Sequence, residues 1–288
     1  MADKHIDEVS GVETTGHEWD GIRELNNPMP RWWVWTFYAT IVWAIGYTIA
    51  YPAWPLINDS TKGVLGWSSR KDLKEERVVA DQLQAKHVEQ IKEKPLADIQ
   101  ADSELMQFAL AGGSAAFKVN CIQCHGSGAA GSVGYPNLND DDWIWGGKID
   151  DLYTSIAHGI RSPDDDSTRV SDMPAFADVI EPLEIRQVAA YLVAARGDSP
   201  HNPAMVEPGS VIFQDNCGVC HGTKAEGNRE FGAPNLTDAI WLKANSEDEL
   251  IAQIRQPKHG VMPAWEARLG EATVKQLALY VHSLGGGE

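Results

Sequence analysis

Cys-x-x-Cys-His occurs twice, as Cys121-Ile122-Gln123-Cys124-His125 and as Cys217-Gly218-Val219-Cys220-His221, and the two copies use all four cysteines of the chain. Thiols three positions apart can each add to one vinyl group of a porphyrin, and the histidine that follows is then held under the iron as an axial ligand. This is the attachment pattern of c-type haem. A zinc ribbon would set its two knuckles roughly 15–20 residues apart, far closer than these. A thioredoxin-like pair wants a βαβ setting, and neither it nor a disulfide framework gives a reason for the histidines. The motifs predict two covalently bound haem c groups and electron transfer as the chemistry.

An electron-carrying haem needs a second axial ligand. Met173 and Met262 are the candidates, because Met173-Pro174-Ala175-Phe176 and Met262-Pro263-Ala264-Trp265 recur in register behind the two haem motifs. The following proline biases each methionine toward an extended backbone. A thioether is a soft neutral ligand that raises the potential, and a filled sixth position leaves no room for oxygen. His158-Gly159 and His259-Gly260 compete for the same role, since histidine is a common sixth ligand. Pairing of each methionine with the haem of its own repeat is the default, with exchange between repeats left open.

Other motifs carry less. Gly126-Ser127-Gly128-Ala129-Ala130-Gly131 fits the dinucleotide fingerprint, but it follows a haem histidine where that fingerprint requires a preceding strand. Trp143, Trp145 and Trp241 follow the Pro-Asn-Leu motifs and read as pocket walls. The runs Asp140–Asp142 and Asp164–Asp166 read as solvated loops or as part of a docking rim for a basic protein.

The elements that position these residues are duplicated. Gly113-Ser114 through Phe117 to Asn120 matches Gly209-Ser210 through Phe213 to Asn216, and Pro136-Asn137-Leu138 matches Pro234-Asn235-Leu236. Each copy closes with apolar residues at helical spacing: Ile185, Val188, Ala189 and Leu192 in the first, and Val274, Leu277, Ala278 and Val281 in the second. Tyr191 and Tyr280 are equivalent. Ahead of the repeats, Trp32 to Asn58 contains no Lys, Arg, Asp or Glu, and Pro52 and Pro55 should end a helix near Tyr51. Such a helix spans about 30 Å, the thickness of the hydrocarbon core, with Trp and Tyr at both ends. It reads as an uncleaved anchor.

The fold class expected is therefore mainly α, with one N-terminal transmembrane helix followed by two tandem cytochrome c domains. The expected divisions are an N-terminal arm (1–31), the anchor (32–57), a charged and helical linker (58–102), a first domain (103–198), a linker (199–207) and a second domain (208–288). Haem attachment outside the cytoplasmic membrane outweighs the Lys and Arg count around the anchor. The arm is then cytoplasmic and the haem domains periplasmic, in a bacterial inner membrane. The 288 residues carry a net charge of −17, which argues against nucleic acid as a partner; the acidity reads either as attraction of a basic protein or as solubility alone.

Glu18-Trp19-Asp20-Gly21-Ile22, Glu24-Leu25-Asn26-Asn27-Pro28 and Pro30-Arg31-Trp32-Trp33, followed by the anchor, the haem motifs and the Met-Pro-Ala motifs, resemble the dihaem subunit family (CcoP or FixP) of cbb3-type cytochrome c oxidases. The resemblance covers nearly the whole chain. It implies a relay without bond-breaking chemistry of its own. Electrons would come from a periplasmic cytochrome c or the bc1 complex and pass through the two haems to a monohaem subunit. A haem–copper catalytic subunit would follow, and the anchor would dock against that subunit and membrane lipid. On this resemblance Cys121, Cys124, Cys217 and Cys220 tether the haems, while His125, His221, Met173 and Met262 hold the irons. A free-standing dihaem carrier serving another terminal enzyme is the alternative. A dihaem peroxidase or a gas sensor would need an open iron, which the paired methionines oppose.

Overall fold

A computed structural model describes residues 5–288 and divides the chain into two compact units, one through Gln82 and one from Leu83 onward. In the first unit, Thr14–Trp19 (β1) and Ile22–Leu25 (β2) form an antiparallel hairpin with Trp19 opposite Ile22. Its turn residues, Asp20 and Gly21, both have positive φ, the geometry of a type I′ turn, for which Asp-Gly is a preferred pair. The arm was expected only as an arm; Asp-Gly between apolar residues was the signal for this hairpin.

Helix α1 runs from Arg31 to Ala50, with Tyr51 as an extended cap ahead of Pro52. It has the length and composition to cross a membrane and buries none of its side chains within the chain. Twenty such residues reach about 30 Å, so its apolar surface calls for lipid or another protein around it. Helix α2, Ser69–Glu93, follows; Leu73, Val79 and Leu83 are exposed along it and only Ile91 is buried.

The second unit is built from short helices. They are α3 (Leu96–Ala101), α4 (Ser103–Asn120), α5 (Ile122–His125), α6 (Ile149–His158), α7 (Pro182–Ala195), α8 (Val206–Asn216), α9 (Gly218–His221), α10 (Glu247–Arg255), α11 (Glu266–Leu269) and α12 (Glu271–His282). Helix starts follow their sequence signals. Asp102 caps α4 by accepting from Leu105 N–H, and α7 opens on Pro182 behind a Glu181–Glu184 capping box. Val206 to Pro208 already belong to α8, where the linker was expected to run through 207. Pro208 is tolerated there because a first-turn residue has no intrahelical partner for an N–H.

The helices close two cores, but not repeat by repeat. Helix α4, carrying the first haem motif at its end, packs against α12, and α8, carrying the second, packs against α7. One core joins Phe117, Leu152 and Ile156 to Val274, Leu277, Ala278 and Val281, with Cys121 and Met262 against it. The other joins Ile185, Val188, Ala189 and Leu192 to Phe213, Cys217, Leu250 and Ile254, with Met173 against it. Each haem motif therefore shares its core with the methionine and closing helix of the other repeat, against the default expectation. The reason is that α7 and α12 present interchangeable apolar faces. Local pattern cannot choose between partners, and the arrangement resembles the exchange of an element between protomers.

Between the cores lies a cavity of about 510 Å³ whose lining includes Asp142, Trp143, Glu226, Arg229 and Asp238. Burial first, then the carboxylates of Asp238 and Asp140, pushes Asp142 up to about 6. Because this lies above the ordinary 3.8, the folded chain holds a proton that the unfolded chain releases between those values. Stability from this group is greatest near pH 4, falls as pH rises toward 6, and stays reduced above. Asp142→Asn should raise the thermal midpoint at pH 8, and the gain should shrink toward zero by pH 4 in unfolding scans.

Candidate haem sites

Each Cys-x-x-Cys-His motif spans the junction of two helices. Cys121 ends α4 and Cys217 ends α8, both in a right-handed helical conformation, and one further turn brings the second cysteine and the histidine round. His125 and His221 donate their N–H groups back to Cys121 and Cys217 carbonyls, at 2.9 and 3.0 Å. Burial, and then the neighbouring thiol, pushes Cys121 and Cys217 each up to about 11.

The imidazoles are turned by backbone carbonyls of the Pro-Asn-Leu motifs. Nδ1 of His125 lies 3.0 Å from the Pro136 carbonyl and Nδ1 of His221 lies 3.1 Å from that of Pro234. With Nδ1–H donating there, Nε2 keeps its lone pair for a metal. Burial lowers both imidazole pKa values, with the carbonyl bonds opposing it, so the rings favour the neutral form that binds iron. Gly131 N–H donates to the His125 carbonyl at 2.8 Å, and Gly227 does the same to His221 at 2.7 Å, folding each following loop back under its motif. The Gly-rich run after His125 is this loop; helices precede it, and it is no dinucleotide fingerprint.

The methionine segments reach their cores by crossing. Ile160 and Met262 exchange backbone hydrogen bonds of 3.0 and 2.9 Å, and Trp265 N–H donates to the Ile156 and Ala157 carbonyls at the end of α6. In the other core Phe176 N–H donates to the Ile254 carbonyl at the end of α10. Gly159 turns with φ +71° directly beneath the Met262 carbonyl, where a Cβ would collide. Arg161 stands at the crossing: Nε donates to the Gly260 carbonyl and Nη1 to that of Ser171, both at 2.7 Å, so one guanidinium grips the approach to both methionines. Arg161→Ala should cost about 3 kcal/mol, the scale of two charge-assisted bonds. Faster amide exchange around both Met173 and Met262 would check it.

The two competing histidines turn to carboxylates. His158 Nδ1 lies 3.0 Å from Asp165 and His259 Nδ1 lies 3.0 Å from Asp172. Asp164 also pairs with Arg268 at 3.4 Å, so this acidic run is partly structural. Trp143 is buried against the first motif's core, Trp145 stacks under Arg169, and Trp241 packs against the second motif's core. Sequence reading missed Arg161. Its signal, a lone arginine behind the His-Gly pair, has no counterpart behind His259-Gly260.

Two cores, each with a thiol pair, a neutral oriented imidazole and a thioether among apolar walls, fit c-type haem and define a dihaem cytochrome, an electron-transfer protein. Residues 11–58 match the family described as the N-terminal domain of cytochrome oxidase-cbb3, FixP, and residues 108–192 and 204–281 match cytochrome c oxidase, cbb3-type, subunit III. The chain is 61% identical to the cbb3-type cytochrome c oxidase subunit FixP of Rhizobium meliloti over the full length of both. It is 51% identical to subunit CcoP of Cereibacter sphaeroides, covering 96% of this chain and 95% of that one, and 47% identical to FixP of Azorhizobium caulinodans, covering 98% and 96%. The chain belongs to the FixP/CcoP family, the dihaem cytochrome c subunits of cbb3-type oxidases. It carries two haem c groups and serves as an electron relay.

Proposed function

We propose that Cys121 and Cys124 tether one haem between His125 and Met262, and that Cys217 and Cys220 tether the other between His221 and Met173. The observation that carries this reading is the exchanged packing, in which each motif shares a core with the methionine of the other repeat. Bound haem supplies a reversible one-electron iron couple. The chain's residues do the rest. The Pro136 and Pro234 carbonyls orient the imidazoles. The methionine segments close the sixth positions, and the buried walls keep water from the irons and so favour the ferrous form. Divisions at 1–31, 32–57, 58–102, 103–198, 199–207 and 208–288 remain the working scheme along the chain.

Electrons enter from a cytochrome c or a bc1 complex and leave to the monohaem and haem–copper subunits of the oxidase. The arm lies in the cytoplasm, α1 in the lipid of the bacterial inner membrane, and the haem-binding region in the periplasm. The acidic surface suits a basic donor and would speed its encounter. Purification of the tagged chain from native membranes should bring down oxygen consumption driven by reduced cytochrome c, with b-type haem and copper. A dihaem protein arriving alone and inert, in detergent that keeps other respiratory complexes whole, would remove the oxidase assignment.

A further inference from the structure

The two pockets treat one equivalent donor differently. Trp143 and Trp241 stand at equivalent places, each five residues after the leucine of its Pro-Asn-Leu motif (143 − 138 = 241 − 236 = 5). The indole Nε1 of Trp143 donates to the Gly286 carbonyl, and Glu288 N–H donates to the Gly147 carbonyl at 3.1 Å, so the segment after α12 folds back and takes that donor. The indole Nε1 of Trp241 is buried and meets no acceptor among the described residues. Its ring packs against the core that holds Cys217 and Met173, with the Arg196 guanidinium 4.3 Å over the ring centroid. A buried N–H left without an acceptor costs about 1–3 kcal/mol, so a site that keeps one there implies an acceptor brought from outside the chain. Of the atoms of a haem, the propionate oxygens are the strong acceptors.

We infer that Trp241 donates its indole N–H to a propionate of the haem tethered at Cys217 and Cys220, while the equivalent donor of the other pocket is spent on Gly286. Trp241 is then a positioning residue, and Arg196 fixes the plane of its ring while paired with Asp198. The consequence is an inequality between two otherwise duplicated sites. A propionate whose charge is shared with a donor stabilises ferric iron less, so the donor raises that haem's potential. This inference rests on the exchanged pairing proposed above.

The test uses the full chain, comparing Trp241→Phe with Trp143→Phe by redox titration and by the propionate bending band in resonance Raman spectra. Trp241→Phe keeps an aromatic ring and removes the donor. It should shift one haem to lower potential and move its propionate band, whereas Trp143→Phe should leave the propionate bands in place. Trp241→His, which retains a ring N–H, should recover part of the shift. Neither Trp241 variant moving any band, or Trp143→Phe moving one equally, would overturn the inference. Met173→His, by contrast, labels the haem that Met173 serves. If Trp241→Phe moves the haem labelled instead by Met262→His, the indole contact survives and the exchanged pairing fails.

Discussion

In a chain whose Cys217 and Cys220 are changed to serine, only the haem at Cys121 and Cys124 is attached, and there Met262→Ala should open the ferrous iron to carbon monoxide. Met173→Ala in the same background should leave the spectrum unmoved by the gas. The expectation follows from the core in which Met262 packs beside Cys121 and Phe117, held by its two backbone bonds to Ile160. Met173 packs instead with Cys217 and Phe213. The reciprocal chain, with Cys121 and Cys124 changed to serine, should respond to Met173→Ala alone. Met262→His with all four cysteines intact should lower one potential by a sizeable part of the ~0.8 V span that axial ligands command. Carbon monoxide binding after Met173→Ala in the first background would establish pairing within the repeat.

Gly209→Ala should be among the most destabilising single methyl additions in the chain. At Gly209 helix α8 crosses α7 so closely that a Cβ would run into the Gln187 carbonyl and the Tyr191 side chain. Gly113 plays the same part where α4 crosses α12, against the Gln276 carbonyl and Tyr280. The obstacle is backbone in both cases, so relief requires the helices to part. Overpacking of this kind costs about 1–3 kcal/mol, which for a unit of this size lowers the thermal midpoint by about 2–12 °C. Amide exchange gives the sharper readout. Gly113→Ala should loosen 271–282 and spare 182–195, and Gly209→Ala should do the reverse. Loosening of the opposite helix in each case would mean that each repeat closes on itself.

What the sequence made legible was whatever depends on neighbours along the chain. The haem motifs, the ends of α1 and the inward faces of α7 and α12 are local patterns, and Ile185, Val188, Leu277 and Val281 are all buried as their spacing implies. The Pro-Asn-Leu repeats mark a recurring turn of the chain without revealing its purpose, which is to offer a carbonyl to each imidazole. The exchanged cores were not legible, because the two closing helices carry equivalent residues and nothing local distinguishes one partner from the other. Nor was Arg161, whose role exists only where two segments distant in sequence cross. The hairpin at Asp20-Gly21 is legible from its turn pair, since Asp-Gly between apolar residues favours a type I′ turn.

The crossing of segments also sets an order of construction. Chains that emerge from the ribosome usually complete their domains in sequence, the earliest first. Here the core around Cys121 is sealed by α12, so the haem site translated first must wait with an open flank until the last helix of the second unit has been made. During that interval the apolar face of α4 is exposed, and the contacts that will cover it are long-range and slow to form. Closure also buries Cys121 and Cys217 and pushes both thiols up, so these two are the better nucleophiles before it. The core around Cys217 is built from residues 173–254 and needs no part of α12, so it can close first, and the two cores are completed in the reverse of the order in which their haem motifs are translated.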